Sequence, residues 1–217
     1  MAINSVNVLF THALADTALS AKQKEVLKAS LVLFSEQGFD RTSTSDIAKK
    51  AGVSEGTVYK QFKTKEGILA AILKPFAQSV IPTAASEFVT MISSTSYPSL
   101  EEFLRHVVQN RMQFAKENKL QLKIFAQELL HNTELVQALE AEIKPKLIKQ
   151  MGGQVLEYYQ KQGQLVAWPA VRIFRYVISV VFSYLVPYLL LELPLDVEEA
   201  SQEAVEFLLG GLSPATK

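Results

Sequence analysis

The sequence predicts an all-α protein. Apolar residues recur at helical spacing in nearly every segment, and Ser, Thr, Asn or Asp stands where successive helices would begin. No stretch sustains the period of two that a half-buried strand requires. The expected division is an arm or helical extension over 1–19, a small helical domain over 20–75 and a larger helical domain over 76–217. No internal repeat or low-complexity segment interrupts this order.

Each element has a local reason. A first helix is expected from Ser20 to Gln37, with Val26, Leu27, Leu31, Val32 and Phe34 as its stripe and Gly38 as its stop. Two short helices follow, from about Thr44 to Ala51 and from about Ser54 to Gln61. Ser43-x-x-Asp46 forms a capping-box pattern at the start of the first, and Ser54 can cap the second. Gly52 stands where the chain must reverse, and a residue without a Cβ enters the φ > 0 region at least cost. Ile47, Ala48, Ala51, Val53 and Val58 are the apolar positions, too few for an independent domain. This is the anatomy of a helix-turn-helix, whose second helix can enter a major groove. Thr64-Lys65-Glu66 opens a further helix that Pro75 should kink.

From Tyr97 onward helix follows helix. The expected spans are Pro98 to Glu117, Asn118 to Leu130, Asn132 to Gln162 with an interruption at Pro145, Pro169 to Leu191, and Asp196 to Leu209, stopped by Gly210-Gly211. Tyr176 to Leu191 contains no charged residue. It is short for a membrane span and Pro187 interrupts it, so burial on several sides is the simpler reading. Together with the last helix it is expected to form a four-helix interface between two copies of the chain.

The run Thr42-Ser43-x-x-Asp46-Ile47-Ala48-x-x-Ala51-Gly52-Val53-Ser54-x-Gly56-Thr57-Val58-Tyr59-x-x-Phe62-x-Thr64-Lys65-Glu66 resembles the N-terminal domain of the TetR family of bacterial transcriptional regulators. A bare helix-turn-helix pattern is a weak signal, but the Gly-Thr-x-Tyr and Phe-x-x-Lys-Glu elements make it specific. The resemblance covers residues 20 to 75. It implies a homodimeric regulator, more often a repressor, whose C-terminal domain serves ligand binding and dimerisation. The implied partners are a double-stranded DNA operator and a small-molecule effector.

Composition bounds the alternatives. The chain has 217 residues, 48% of them hydrophobic, enough to build a core. There is no Cys, so thiol chemistry and disulfides are excluded. The first twenty residues lack a basic n-region, which makes a secretory signal unexpected and a cytoplasmic location the default. Lys plus Arg equals Asp plus Glu, 22 each, yet residues 20 to 75 carry ten basic and six acidic side chains. That local excess suits phosphate contact. No His-x-x-x-His, phosphate loop or nucleophile elbow points to an enzyme, and no metal or cofactor is expected. The rival reading is a helical small-molecule-binding or membrane-peripheral protein that does not bind DNA.

DNA contact is expected from Thr42, Ser43, Thr44, Ser54, Glu55, Gly56, Thr57, Tyr59, Lys60 and Lys65, with Lys63 as an addition. Thr42 and Ser43 lie at a helix N-terminus, which favours a phosphate. The resemblance makes Tyr59 and Lys65 phosphate partners. Gly56 would let the backbone approach the duplex, and Thr57 can meet a thymine methyl or a base edge. Glu55, Ser45 and Thr44 depart from the family's usual residues, which bears on the sequence read. For the effector the candidates are Phe103, His106, Met112, Phe125, Glu128, His131, Tyr158 and Phe174, with Arg111 and Arg172 as further polar residues in apolar surroundings. Plain core packing accounts for most of the aromatics. A largely apolar, aromatic-tolerant ligand is expected.

Overall fold

A computed structural model describes residues 5–141 and 155–214. Twelve α-helical segments are present among them, and no strand. They are α1 (Val6–Ala15), α2 (Ala21–Gln37), α3 (Thr44–Ala51), α4 (Glu55–Phe62), α5 (Lys65–Pro75), α6 (Ile81–Ser94), α7 (Leu100–Glu117), α8 (Lys119–Leu129), α9 (133–141), α10 (Val155–Lys161), α11 (Ala170–Leu190) and α12 (Val197–Leu212). The helices form two compact units. One holds residues 5–84 with 118–141, the other 85–117 with 155–214.

In the first unit the expected caps are made. Ser20 and Gln23 form a capping box on α2, and Ser43 and Asp46 form one on α3. Ser54 and Thr64 each accept a backbone N–H at the start of α4 and α5. Gly52 adopts φ 67°, ψ 32° and turns the chain from α3 towards α4. Val26, Leu27, Ile47, Val58, Ile68 and Ile72 are all buried beneath. Val32 is only half-buried, and Leu33 takes the core position instead.

The N-terminal stretch takes the helical of its two expected forms and is no arm. Val6, Leu9, Phe10 and Leu14 of α1 are buried. Phe10 packs 5.3 Å from Phe76, which in turn stacks on Phe125 of α8 at 5.8 Å. The backbone N–H of Val6 donates to Asn118 Oδ1 at 2.8 Å. Phe76 opens a single π-helical turn, Phe76–Val80, immediately after Pro75. The expected kink thus takes the form of a widened turn, a known response of a helix to a proline or an inserted residue.

In the second unit α7 lies against α12 and α11. Met112 and Ala204 are fully buried there, and the hydroxyl of buried Ser201 donates to Met112 Sδ at 3.6 Å. Helix α12 does not stop at Gly210-Gly211 but continues to Leu212. Both glycines stay helical, because buried Leu212 anchors the last turn and its carbonyl accepts the N–H of Val166 at 2.9 Å. The expected break at Pro145 and the loosening at Gly152-Gly153 lie outside the described residues.

Candidate nucleic-acid interface

Helix α4 and its caps carry most of the residues expected to contact DNA. Ser54 Oγ accepts the N–H of Thr57 at 3.2 Å and lies 2.8 Å from Thr57 Oγ1. The cap therefore holds the Thr57 hydroxyl, leaving its methyl as the group free to meet a base. Gly56 is open, with no atom within 4 Å of where a Cβ would stand. Tyr59 is 68% exposed, and Lys60 and Lys63 are exposed beside it. An aromatic ring left so far in water, on the helix that would face DNA, has no packing reason to be there. Lys63 follows α4 with φ 62°, so the backbone itself turns out at this cation.

The α3 end is more structural than the sequence suggests. Thr42 is only 2% exposed, and its hydroxyl donates to the Gly38 carbonyl at 2.8 Å. It braces the turn and offers no free phosphate donor. The Ser43 hydroxyl donates to Asp46 Oδ2 at 2.5 Å while accepting the Asp46 N–H. These contacts hold the exposed Asp46 carboxyl below its usual range, first through the Ser43 hydroxyl and then through the Ser43 N–H. Thr44 donates to Glu55 Oε1 at 2.8 Å, tying α3 to α4 across the turn. Glu55 thus finds a neutral hydroxyl rather than a lysine.

Lys65 also departs from its expected role. Its Nζ donates to the carbonyls of Phe39 and Asp40 at 2.7 and 3.2 Å, and it sits 4.4 Å from the Phe39 ring centroid. In this arrangement it closes the α2–α3 turn and is half-buried. A residue not expected at the site, Lys49, lies exposed in the last turn of α3. A basic residue at that end is also favoured by the helix dipole, which hides any second role in the sequence.

The expected effector residues divide between the units. Phe125, Glu128 and His131 belong to the first, where Phe125 stacks on Phe76 and His131 is exposed. Phe103, His106, Met112, Tyr158 and Phe174 belong to the second. Met112 is core, held by Ser201, and Tyr158 is half in solvent at 51% exposure. Phe103 and Phe174 do meet, in a narrow cleft shared with Ile92 and Leu156. Beside it Tyr97 packs on Phe103 and on His106, with ring centroids 5.6 and 5.3 Å apart. His106 Nε2 is buried and has no hydrogen-bond partner among the described residues. Burial pushes the Tyr159 hydroxyl up to about 12, with smaller contributions from nearby acidic groups. Trp168, Tyr176 and Arg172 form a separate stack, with Arg172 3.8 Å above the indole.

A capped helix-turn-helix braced by a third helix, with an exposed aromatic and lysines on its second helix, defines a DNA-binding domain of the bacterial regulator type. Comparison with known proteins agrees. Residues 26–72 match the family model described as bacterial regulatory proteins, tetR family. Over those residues this chain is similar to the DNA-binding domain of the TetR family. It is 40% identical over 53 residues to the fatty acid metabolism regulator protein of Bacillus subtilis, covering 24% of this chain and 27% of that one. It is 31% identical over 103 residues to the transcriptional regulator AcrR of Shigella flexneri, covering 48% and 47%. These matches span from about a quarter to about half of the curated relatives' length. Among solved structures, FadR of Bacillus subtilis in complex with stearoyl-CoA superposes with a TM-score of 0.60 at 22% identity, over 86% of this chain and 97% of that one. At that identity the likeness shows the fold alone.

Proposed function

We propose that this chain is a ligand-responsive transcriptional regulator, a repressor, that binds a near-palindromic operator as a homodimer and is released by a small, largely apolar effector. The observation that carries the reading is α4, a capped helix with Tyr59, Lys60 and Lys63 standing free on its exposed side. Tyr59, Lys60 and Lys63 position the duplex through its phosphates, and Gly56 and Thr57 meet the bases.

Dimerisation is assigned to α11 and α12. Helix α11 is long and apolar enough to cross a membrane by length and composition, yet only 22% of its most apolar window is buried within the chain. Ile178, Phe182 and Val186 recur at four-residue spacing on it and are exposed, and Phe207 of α12 is 72% exposed. Such a surface on one copy is self-complementary to a second under two-fold symmetry, which supports an isologous interface and a cytoplasmic rather than membrane-bound protein.

The effector site is assigned to the second unit, around Phe103 and Phe174. The aromatic lining of that cleft by Phe103 and Phe174 supports a ligand with an apolar body. The helical run Lys65–Ser94 with its π turn is continuous in sequence from α5 into α6, and it is assigned to carry the change. For this to work the ligand must bind the low-affinity state more tightly by about 1–3 kcal/mol. The test is light scattering in detergent-free buffer on the full chain and on Phe182→Glu. The reading expects a dimer that the substitution converts to monomer, with loss of DNA binding. A wild-type monomer, or a protein soluble only in detergent, contradicts it.

A further inference from the structure

Among the described residues, Arg111 stands in the second unit without a counter-charge. It lies on α7, half-buried, with its guanidinium carbon 3.8 Å from the centroid of Phe88 and 5.0 Å from that of Phe114. Nε and Nη2 both donate to the Asn110 Oδ1, at 3.1 and 2.5 Å. Among the described residues no carboxylate pairs with it. Burial pulls its pKa down to about 10, with desolvation as the one cause. The aromatic faces and the amide offset part of the cost of holding a cation out of water, but neither supplies the opposite charge.

We propose that Arg111 is the anion-binding end of the effector site and takes the carboxylate or phosphate of an amphipathic ligand whose apolar body runs between α6 and α7. The proposal rests on the effector reading above. Its geometry is a track on two helices. Arg111 meets Phe88, and the Asn110 amide reaches Met91 Sδ at 3.9 Å. Further along the same pair, Ile92 meets Phe103 in the narrow cleft. From Arg111 to Phe103 is roughly 12 Å at about 1.5 Å per residue of helix. A ligand with a charged group at one end and an acyl chain or fused rings behind it matches both ends of that track. The guanidinium fork suits a planar carboxylate or a phosphate, and a neutral hydroxyl leaves the charge uncompensated.

The experiment compares oleate, oleoyl-CoA and oleyl alcohol by calorimetric titration into the full-length protein, into Arg111→Gln and into Arg111→Lys. One or both anionic probes should bind the wild type about tenfold or more tightly than the alcohol, as a charge-assisted hydrogen bond implies. Whichever probe does so identifies the carboxylate or the phosphate as the bound group. Arg111→Gln should bind all three alike, and Arg111→Lys should keep part of the preference. Equal affinity of the wild type for anionic and neutral probes overturns the proposal while leaving the apolar effector in place. So does a preference that survives in Arg111→Gln. Failure of all three to bind the wild type overturns the apolar-effector reading along with it.

Discussion

The ammonium of Lys65 donates to the carbonyl oxygen of Phe39 at 2.7 Å, across 26 residues of chain. The Phe39 ring lies beneath that ammonium and meets Phe34 of α2 edge-on at 5.1 Å. One side chain thereby joins the start of α5 to the turn before α3.

Lys65→Ala should therefore act first on stability. A loss of about 1 kcal/mol is expected, the lower end for a charged hydrogen bond because the site is part-exposed. Tyr59→Ala should leave thermal unfolding unchanged and weaken DNA binding similarly across sequences. Lys60→Ala should reduce the slope of log affinity against log salt by about 1. Thermal melts and binding titrations at several salt concentrations separate the three. An unchanged melting temperature for Lys65→Ala, together with a reduced salt slope, would return it to the phosphate role.

Two glycines should respond oppositely. A Cβ on Gly67 would run into the Phe62 carbonyl, whereas one on Gly56 meets nothing within 4 Å. Gly67→Ala should lower the melting temperature clearly, since backbone must shift to accept it. Gly56→Ala should fold at least as stably as the parent, because alanine favours the helix by up to about 1 kcal/mol. Its cost should appear only in DNA affinity, where the added methyl keeps the backbone from the duplex.

Helix α1 should behave as part of the core. Phe10 is buried against Phe76, the first residue of the π turn. Phe10→Ala should destabilise by about 3–5 kcal/mol, the range for emptying a buried aromatic site. Hydrogen exchange should also show the amides of Phe76–Val80 losing protection. A variant as stable as the parent would mean that α1 is dispensable.

Tyr159 sets an alkaline limit. Its hydroxyl is pushed up to about 12 by burial, above the ordinary value near 10. The folded state thus holds this proton more tightly than the unfolded chain. The resulting stability is fully present below about pH 10 and is lost as pH rises towards 12. Tyr159→Phe should remove that loss, so its stability should fall less between pH 10 and 12 than the parent's. Parallel denaturation curves across that interval for the two proteins would contradict the assignment.

What the sequence made legible was local. Ser43 with Asp46, Gly52, Ser54 and Thr64 act within a few residues of themselves, and each stands as spacing indicates. Roles that depend on distant partners were hidden. Lys65 matches a phosphate-binding position until Phe39 is seen beside it. The burial of α1 depends on Phe76 and Phe125, far along the chain. Gly210 and Gly211 read as a stop because nothing nearby shows that Leu212 is anchored through Val166. In the ligand region, Arg111 was one polar residue among several, and the lack of a counter-charge for it among the described residues is visible only in three dimensions. Phe125 and Met112 could not be told from core by composition, and both are core.

The central claim is that α4 reads DNA. The most direct measurement is fluorescence anisotropy of the full chain with the DNA upstream of its own gene, against a scrambled duplex, as salt is raised and with Tyr59→Ala alongside. The account predicts specific affinity of about 10⁻⁸ M or tighter near physiological salt and a linear fall of log affinity with log salt. It also predicts clear weakening by Tyr59→Ala. Equal binding to both duplexes, unmoved by that substitution, would contradict it.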